Sequence, residues 1–177
     1  MKNNFSKVMS HIFKWEGGYV DHPRDPGGAT NMGITIHTAR ALELDLDNDG
    51  DIDKDDVRLI TKEVATEVYR DMYWDAVQGD WAPKGLDLVL MDAAVNSGPR
   101  ASVRWLQRAL GVTPDGALGP ITRKAVEAAN DLSGLIERTV EERRKSVRQF
   151  RNFDVFGRGW MNRINDTEKA ALEMSRG

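Results

Sequence analysis

The sequence contains no cysteine. This absence excludes a disulfide framework and a thiolate zinc site. No apolar run approaches the roughly 20 residues of a membrane-spanning helix, and no basic cluster is interleaved with aromatic residues as on a nucleic-acid-binding surface. The N-terminal stretch MKNNFSKVMSHIFKWEGG has polar residues among its apolar positions and no small-residue cleavage site, unlike a secretory signal. We therefore expect neither membrane insertion nor nucleic-acid binding.

Negative charge is scarce in the second half of the chain and concentrated in one short segment of the first. Residues 1–96 hold 10 Lys and Arg against 18 Asp and Glu, whereas residues 97–177 hold 15 against 10. Residues 45–56 alone contain seven aspartates and one lysine. The basic second half suits contact with an anionic polymer, although a solvated helical surface explains the same excess.

Helical periodicity dominates the 177 residues, and strand signals are few. The first predicted helix ends at Gly17 and Gly18 and carries its apolar residues at helical spacing: Phe5, Val8, Met9, Ile12 and Phe13. Further helices are predicted after the capping residues Thr35 and Thr61, over 84–98, after Pro99, after Pro120, over 132–150 and near the C-terminus. Residues 19–35 are predicted to form turns and short extended pieces. The sequence thus predicts a mainly α fold with a small irregular or β piece.

The segment DLDNDGDIDKDD, residues 45–56, matches the Asp-x-Asp-x-Asp-Gly pattern of an EF-hand calcium loop and lies between two helical stretches. Gly50 takes the sixth position, where the chain must turn sharply. The predicted ligands are Asp45, Asp47 and Asp49 at positions one, three and five, the Asp51 backbone carbonyl, Asp53 through a water, and Asp56 at position twelve.

Asp56 is one methylene shorter than the usual glutamate, which weakens its bidentate reach. The aspartates of this segment repel one another, and a divalent cation would remove that cost. A single loop predicts a structural calcium ion rather than a switch. The alternative is a solvated acidic loop without metal.

Glu16 lies at the predicted end of the first helix, in the stretch WEGGYVDHPRDPGGATNMGIT. The negative end of the helix dipole and the neighbouring residues Phe13, Trp15 and Tyr19 favour a carboxylic acid that keeps its proton. Such an acid can donate to a leaving oxygen. Asp25, in the polar turn RDPGG, is expected to stay ionised, and Thr30 follows where it can orient a water.

Glycoside hydrolysis uses two carboxyl groups, one that keeps its proton and one that stays ionised. A helix end followed by a loop is the structural alternative for the same residues. The motifs EGGY, DPGG-ATNMGIT and VYRDMYWD, over about residues 5–95, resemble glycoside hydrolase family 108. Its members are lysozyme-like N-acetylmuramidases, including phage endolysins. The resemblance implies that Glu16 is the proton donor, and an analogy with phage-type lysozymes implies that Asp25 and Thr30 hold the attacking water.

The second half resembles a peptidoglycan-binding region, through LQRALGVTPDGALGPITRKAV at residues 106–126. We therefore predict a lysozyme-like catalytic region over 1–95, with the calcium loop inserted at 45–56, and a helical peptidoglycan-binding-like region over 96–177. The alternative is that 96–177 completes the helical lobe of one compact enzyme. The implied architecture is a helical lobe plus a small irregular or β lobe with a cleft between them.

The implied activity is hydrolysis of the β-1,4 bond between N-acetylmuramic acid and N-acetylglucosamine in peptidoglycan. Two rival functions are a lytic transglycosylase, which needs no water-holding aspartate, and a calcium-stabilised wall-binding protein without catalysis. We expect a monomer that is made in the bacterial cytoplasm and acts in the periplasm or cell wall after holin-type or other release.

Overall fold

The computed structural model describes residues 4–21 and 28–177, and these are mainly helical, as the sequence predicts. The elements are, in chain order, α1 Phe5–Trp15, β1 Thr30–Asn31, β2 Ile34–Thr35, α2 Ile36–Ala41, α3 Lys54–Leu59, α4 Lys62–Tyr69, a π-helix Arg70–Trp74, α5 Leu86–Ser97, α6 Pro99–Leu110, α7 Pro120–Glu127, α8 Leu132–Val147 and α9 Phe153–Ser175. No helix formed by these residues combines the length and apolar character needed to cross a membrane.

The backbone contacts divide the chain into two compact units. We call Met9–Tyr69 the small unit, and Met1–Val8 together with Arg70–Gly177 the helical unit. The sequence boundary predicted near residue 95 falls inside α5, which is continuous to Ser97. The assignment of functions to residues 1–95 and 96–177 stays a prediction.

The sheet of the small unit is a hairpin of two short antiparallel strands. Thr30 pairs with Thr35 and Asn31 with Ile34, so two residues form the turn. Those two, Met32 and Gly33, have φ angles of 47° and 77°, and a tight hairpin turn of the I′ type needs positive φ at both central positions. Val20 extends the pairing through a bridge to Thr30. The predicted β piece within 19–35 is therefore confirmed.

Side-chain caps set the ends of the short helices in the small unit. Thr35 begins α2, as predicted, by accepting a hydrogen bond from the Thr38 backbone N–H at 3.1 Å. Asp53 and Asp56 form a capping box at the start of α3. This helix begins inside the predicted loop, and the acid-x-x-acid spacing was the sequence signal for it. Asn31, only 6% exposed, donates to the carbonyls of Val57 and Ile60 at the other end of α3.

Helix α5 is the centre of the helical unit. Every residue from Leu86 to Ala94 is buried, and α6, α8 and α9 pack against it. Gly98, with a φ of 85°, separates α5 from α6, and Pro99 occupies the first turn of α6, where a missing N–H costs nothing. The apolar stretch LDLVLMDAA, residues 86–94, is therefore a core helix covered on all sides.

Gln107 organises the turn-rich connection between α6 and α7. Its Nε2 donates to Asp115 Oδ1 at 2.7 Å and to Thr122 Oγ1 at 3.0 Å, and its Oε1 accepts from the Gly116 N–H at 2.8 Å. The Leu-Gln, Asp-Gly and Gly-Pro-x-Thr elements of the sequence thus meet at one buried amide. These elements specify one folded connection rather than several independent turns.

A buried ion cluster ties α5 to α8 and α9. Asp92 is fully buried and accepts from Arg143 Nη1 at 2.7 Å and from Arg163 Nε at 2.6 Å. Burial alone would raise the pKa of Asp92, but the two guanidinium groups outweigh it and lower the pKa below its usual value. Asp92 therefore serves the core of the helical unit.

Candidate active site and acidic loop

Glu16 directly follows α1 and is half-buried within the small unit. Its backbone N–H continues the helical pattern by donating to Ile12 O at 3.3 Å. The glycine pair that follows ends the helix, as the sequence predicts, and Gly17 O accepts from the Met32 N–H at 3.0 Å. The end of α1 and the tip of the hairpin are therefore joined beside Glu16.

Gly33 lets the hairpin tip approach the Glu16 carboxyl group. A Cβ atom added to Gly33 would lie 2.7 Å from Glu16 Oε2 and would overlap the hydroxyl of Tyr69. Both contacts are shorter than side-chain carbons tolerate, so a side chain at this position would force the Glu16 carboxyl group or the Tyr69 hydroxyl to move. This glycine lies within the ATNMGIT motif, and the sequence alone predicts no role for it. The Asn-Met-Gly turn pattern was the available signal.

Tyr69 braces the same hairpin tip from the end of α4. It is 2% exposed and donates its hydroxyl hydrogen bond to Met32 O at 3.0 Å. Its ring meets Phe13 of α1 edge-on, with centroids 6.0 Å apart. Tyr69 belongs to the VYRDMYWD stretch, but its approach to residues 32 and 33 depends on the folded chain. Sequence spacing could not show it.

Of the two other predicted catalytic residues, Thr30 lies within the described part of the chain and Asp25 does not. Thr30 lies half-buried in β1 and exchanges two backbone hydrogen bonds with Val20, at 2.7 and 2.8 Å. It therefore begins the hairpin whose tip contacts Glu16. Asp25 lies outside the described residues. Tyr19, on the same segment, is half-buried and is covered by the Arg58 guanidinium at 4.9 Å from its ring centroid.

The acidic loop gathers its aspartates into two groups, and within each group one carboxylate oxygen from every residue lies within 4.8 Å of the others. The first group is Asp45, Asp47 and Asp49, and the second is Asp51, Asp53 and Asp56. Gly50 has a φ of 93° and donates its N–H to Asp45 Oδ2 at 3.2 Å. The turn predicted at loop position six is thus formed.

Asp56 closes the acidic loop through its own hydrogen bonds. Its Oδ1 accepts from the Leu46 N–H at 2.7 Å, and its Oδ2 accepts from the Asp53 N–H at 2.8 Å. These bonds lower the pKa of Asp56, with the Asp53 N–H having the largest effect. The last acid of the loop therefore holds its first residues in place, and both of its oxygens already have partners.

Backbone hydrogen bonds do not offset the charge of Asp47 and Asp51 in this way. Desolvation and the neighbouring acids raise the pKa of Asp47, and the charge of Asp49 is the main cause of the raised pKa of Asp51. Asp45 Oδ1 is buried and has no hydrogen-bond partner within the part of the chain that the structure describes. A buried acceptor without a donor is unfavourable, so the loop fits a cation at its first three acids.

Two protein families match successive parts of the chain. Residues 9–98 match the Glycosyl hydrolase 108 family, and residues 101–165 match a family described as Predicted Peptidoglycan domain. These ranges meet at the junction of α5 and α6. No curated protein matches the chain.

The chain resembles a solved structure over its whole length. The structure of Brucella abortus SagA aligns with a TM-score of 0.87 and 41% sequence identity, over 100% of this chain and 98% of that one. A family match that contains Glu16, Gly33 and Tyr69, joined to a peptidoglycan domain, identifies a glycoside hydrolase directed at peptidoglycan. The chain belongs to the glycosyl hydrolase 108 family.

Proposed function

We propose that the protein is an N-acetylmuramidase that hydrolyses the β-1,4 bond between N-acetylmuramic acid and N-acetylglucosamine, with Glu16 as the general acid. The observation that supports this most directly is the position of Glu16. Its carboxyl group is held against Gly33 at the tip of a hairpin that Tyr69 and Gly17 fix in place. A catalytic acid needs such fixed geometry to reach one oxygen of a long polymer.

In the proposed reaction Glu16 donates its proton to the glycosidic oxygen as the bond to the anomeric carbon breaks. Water attacks that carbon from the opposite face, and Asp25 with Thr30 positions the water and accepts its proton. This course inverts the anomeric configuration. It requires the two carboxyl groups to be about 6.5–9.5 Å apart, since about 5–5.5 Å leaves no room for water and leads to retention.

The decisive experiment is digestion of purified peptidoglycan by the wild type and by Glu16→Gln, with calcium present and the reduced products identified by mass spectrometry. We expect reducing-end muramic acid from the wild type and at least a thousandfold less from Glu16→Gln. Glu67→Gln is the matched control, because Glu67 is exposed on α4 of the same unit. It is expected to keep wild-type activity.

Each other outcome selects a rival function. Anhydromuramic ends would replace hydrolysis with transglycosylation. No products from the wild type, with binding to the wall intact, would leave a wall-binding protein without catalysis. Asp25→Asn further distinguishes hydrolysis from transglycosylation. A transglycosylase needs no water-holding aspartate, so the variant would keep transglycosylase activity.

We also propose that the acidic loop holds one structural calcium ion through Asp45, Asp47 and Asp49, with Asp51, Asp53 and Asp56 completing the loop. The buried, unpartnered Asp45 Oδ1 supports this within the described residues, as does the all-oxygen donor set. Since both Asp56 oxygens accept backbone hydrogen bonds, we expect Asp56 to order the loop more than to bind the ion. A bound cation would stabilise the small unit.

Thermal unfolding with calcium and with a chelator tests this metal site. Calcium at a hundred times its Kd stabilises the folded state by about 2.7 kcal/mol, so the chelator should lower the Tm by several degrees. Asp47→Asn and Asp49→Asn should abolish the calcium response. Asp55→Asn removes the same charge at a position that pairs with Arg58 and should keep it. Equal loss in all three would mean that calcium only screens charge.

The proposed setting follows from the substrate. Peptidoglycan is the expected partner, and the protein acts as a monomer in the periplasm or wall, after synthesis in the bacterial cytoplasm and holin-type or other release. Neither nucleic acid nor membrane insertion has a part in this function. Light scattering of the purified chain checks the monomer directly.

A further inference from the structure

The helical unit contains two adjoining cavities that share Asn96, Ser97 and Phe150 and have volumes of about 210 and 410 Å³. Residues of α5, α6, α8 and α9 surround them. We call the pair the arginine groove, because three arginines line it, namely Arg104, Arg108 and Arg143. All of its lining residues belong to the helical unit, whereas Glu16 belongs to the small unit.

The charge of the arginine groove is of one sign. Arg104 and Arg108 are exposed and lie one turn apart on α6, and no Asp or Glu lines either cavity. Ser146 of α8 accepts from Arg108 Nη1 at 3.4 Å and from Trp105 Nε1 at 2.8 Å. Neither arginine forms an ion pair with a carboxylate of the described residues. The groove therefore attracts anionic groups.

Arg143 adds a donor that the protein itself leaves unused. It is 2% exposed, lines the smaller cavity, and binds Asp92 through Nη1. Its Nε–H is buried and meets no acceptor anywhere in the described parts of the chain. A buried donor without an acceptor is unfavourable, but the charge of Arg143 is already balanced by Asp92, so the net positive charge of the groove comes from Arg104 and Arg108.

Aromatic side chains form the other wall of the arginine groove. Phe150 and Trp160 line it and meet edge-on with centroids 5.9 Å apart. Phe156 lies equally close to Trp160 and is 54% exposed. An apolar wall beside exposed arginines suits a ligand that carries carboxylates on a partly apolar frame.

We propose that the arginine groove binds the peptide stem of peptidoglycan through its free carboxylates. This inference rests on the proposed function for the choice of polymer. Within peptidoglycan the N-acetylglucosamine units are uncharged, whereas the stem peptides carry several carboxylates, so the stem is the part that matches the exposed Arg104 and Arg108. Binding there would hold the polymer independently of the acid that cleaves it.

The first test measures binding of a synthetic stem tetrapeptide by titration calorimetry, to the full chain and to the double variant Arg104→Ala/Arg108→Ala. We expect at least tenfold weaker binding by the variant. Arg138→Ala/Arg176→Ala is the matched control, because both residues are exposed in the helical unit and line neither cavity. It should bind as the wild type does. Equal binding by all three proteins would overturn the proposal.

A stem with amidated carboxylates tests the chemistry of recognition. It should bind at least tenfold more weakly than the free acid, and equal affinity would overturn the proposal. An acidic peptide of unrelated sequence and vesicles of anionic lipid test other anionic ligands. Binding of either to the arginine groove as tightly as the stem would also overturn the assignment to peptidoglycan.

Hydrolysis distinguishes failure of this inference from failure of the proposed function. On intact peptidoglycan the Arg104→Ala/Arg108→Ala variant should show a KM raised several-fold at unchanged kcat. On glycan strands stripped of their stems it should equal the wild type. If the wild type cleaves neither polymer yet binds the stem, the muramidase assignment fails and the groove stands. If the wild type cleaves both polymers and the variant has the same KM as the wild type, the muramidase assignment stands and the proposed role of the arginine groove is wrong.

Discussion

The two units solve the problem of a buried polar residue in different ways. In the helical unit, Asp92 is surrounded by two arginines that lie 51 and 71 residues along the chain. In the small unit, the side-chain amide of the buried Asn31 donates to backbone carbonyls at the end of α3. The first arrangement joins long helices through side chains. The second arrangement supplies hydrogen bonds to backbone groups that have no partner within their own short helix.

This difference follows from the length of the elements. The strands of the small unit have two residues each, and α2 and α3 have six. Such elements leave most of their terminal backbone groups without internal partners, so single side chains such as Asn31, Thr35 and Asp56 must satisfy them. The helical unit instead buries continuous apolar faces along α5 and α8. Glu16, the proposed acid, thus lies in the unit that depends most on individual residues.

The largest loss of stability is expected from Asp92→Asn, which leaves two buried arginines without their carboxylate. Breaking a buried pair on one side costs about 3–5 kcal/mol, and urea unfolding at neutral pH measures it. Glu168→Gln is the control. It removes a partly exposed partner of Arg144, where a cost of about 1 kcal/mol or less is expected. Equal losses would contradict the role given to Asp92.

The pH dependence of stability provides a second check on Asp92. The folded state lowers its pKa, so its contribution is fully present above the pKa of an unfolded aspartate and is lost as the pH falls through the lower, folded value. Acidification below the usual aspartate range should therefore destabilise the wild type more than Asp92→Asn. A variant with the same acid slope as the wild type would contradict the cause assigned to the shift.

Asn31→Ala tests a buried polar residue of the small unit. We expect its loss of stability to be smaller than that of Asp92→Asn. Removing the amide leaves the Ile60 carbonyl without the donor seen in the structure and the Val57 carbonyl with only a long bond from the Ile60 N–H, at 3.4 Å, and we expect a cost of about 1–3 kcal/mol. Hydrogen exchange should show increased opening of the hairpin and α3, whereas α5 and α8 should keep their protection. Uniform loss of protection throughout the chain would mean that Asn31 supports the whole fold.

Local signals were predictable from the sequence because they act over a few residues. Gly17 and Gly18 end α1, Thr35 caps α2, and Pro99 and Pro120 occupy first turns. Each of these depends on backbone geometry that the residue type itself dictates.

Longer-range partners were not predictable. The contact of Gly33 with Glu16 and Tyr69, the bonds of Asn31 to α3, and the choice of Arg143 and Arg163 for Asp92 all require the folded chain. A single sequence contains no periodicity that pairs residues 17 to 71 positions apart. The sequence therefore predicted Glu16 as the candidate acid, whereas the approach of Gly33 to its carboxyl group is visible only in the structure.

Gly33→Ala is expected to have the smallest effect on stability but a direct effect on catalysis. A residue with a side chain at a φ of 77° costs about 1–2 kcal/mol. The added Cβ would also displace the Glu16 carboxyl group or the Tyr69 hydroxyl. Because a small misplacement of a catalytic group can cost about a hundredfold in rate, we expect kcat on peptidoglycan to fall by that order.

Gly111→Ala is the control, since Gly111 has a φ of 71° and no atom within 4 Å of the added Cβ. It should lose similar stability and keep its activity. A Gly33→Ala enzyme with normal kcat would show that the hairpin tip does not position Glu16.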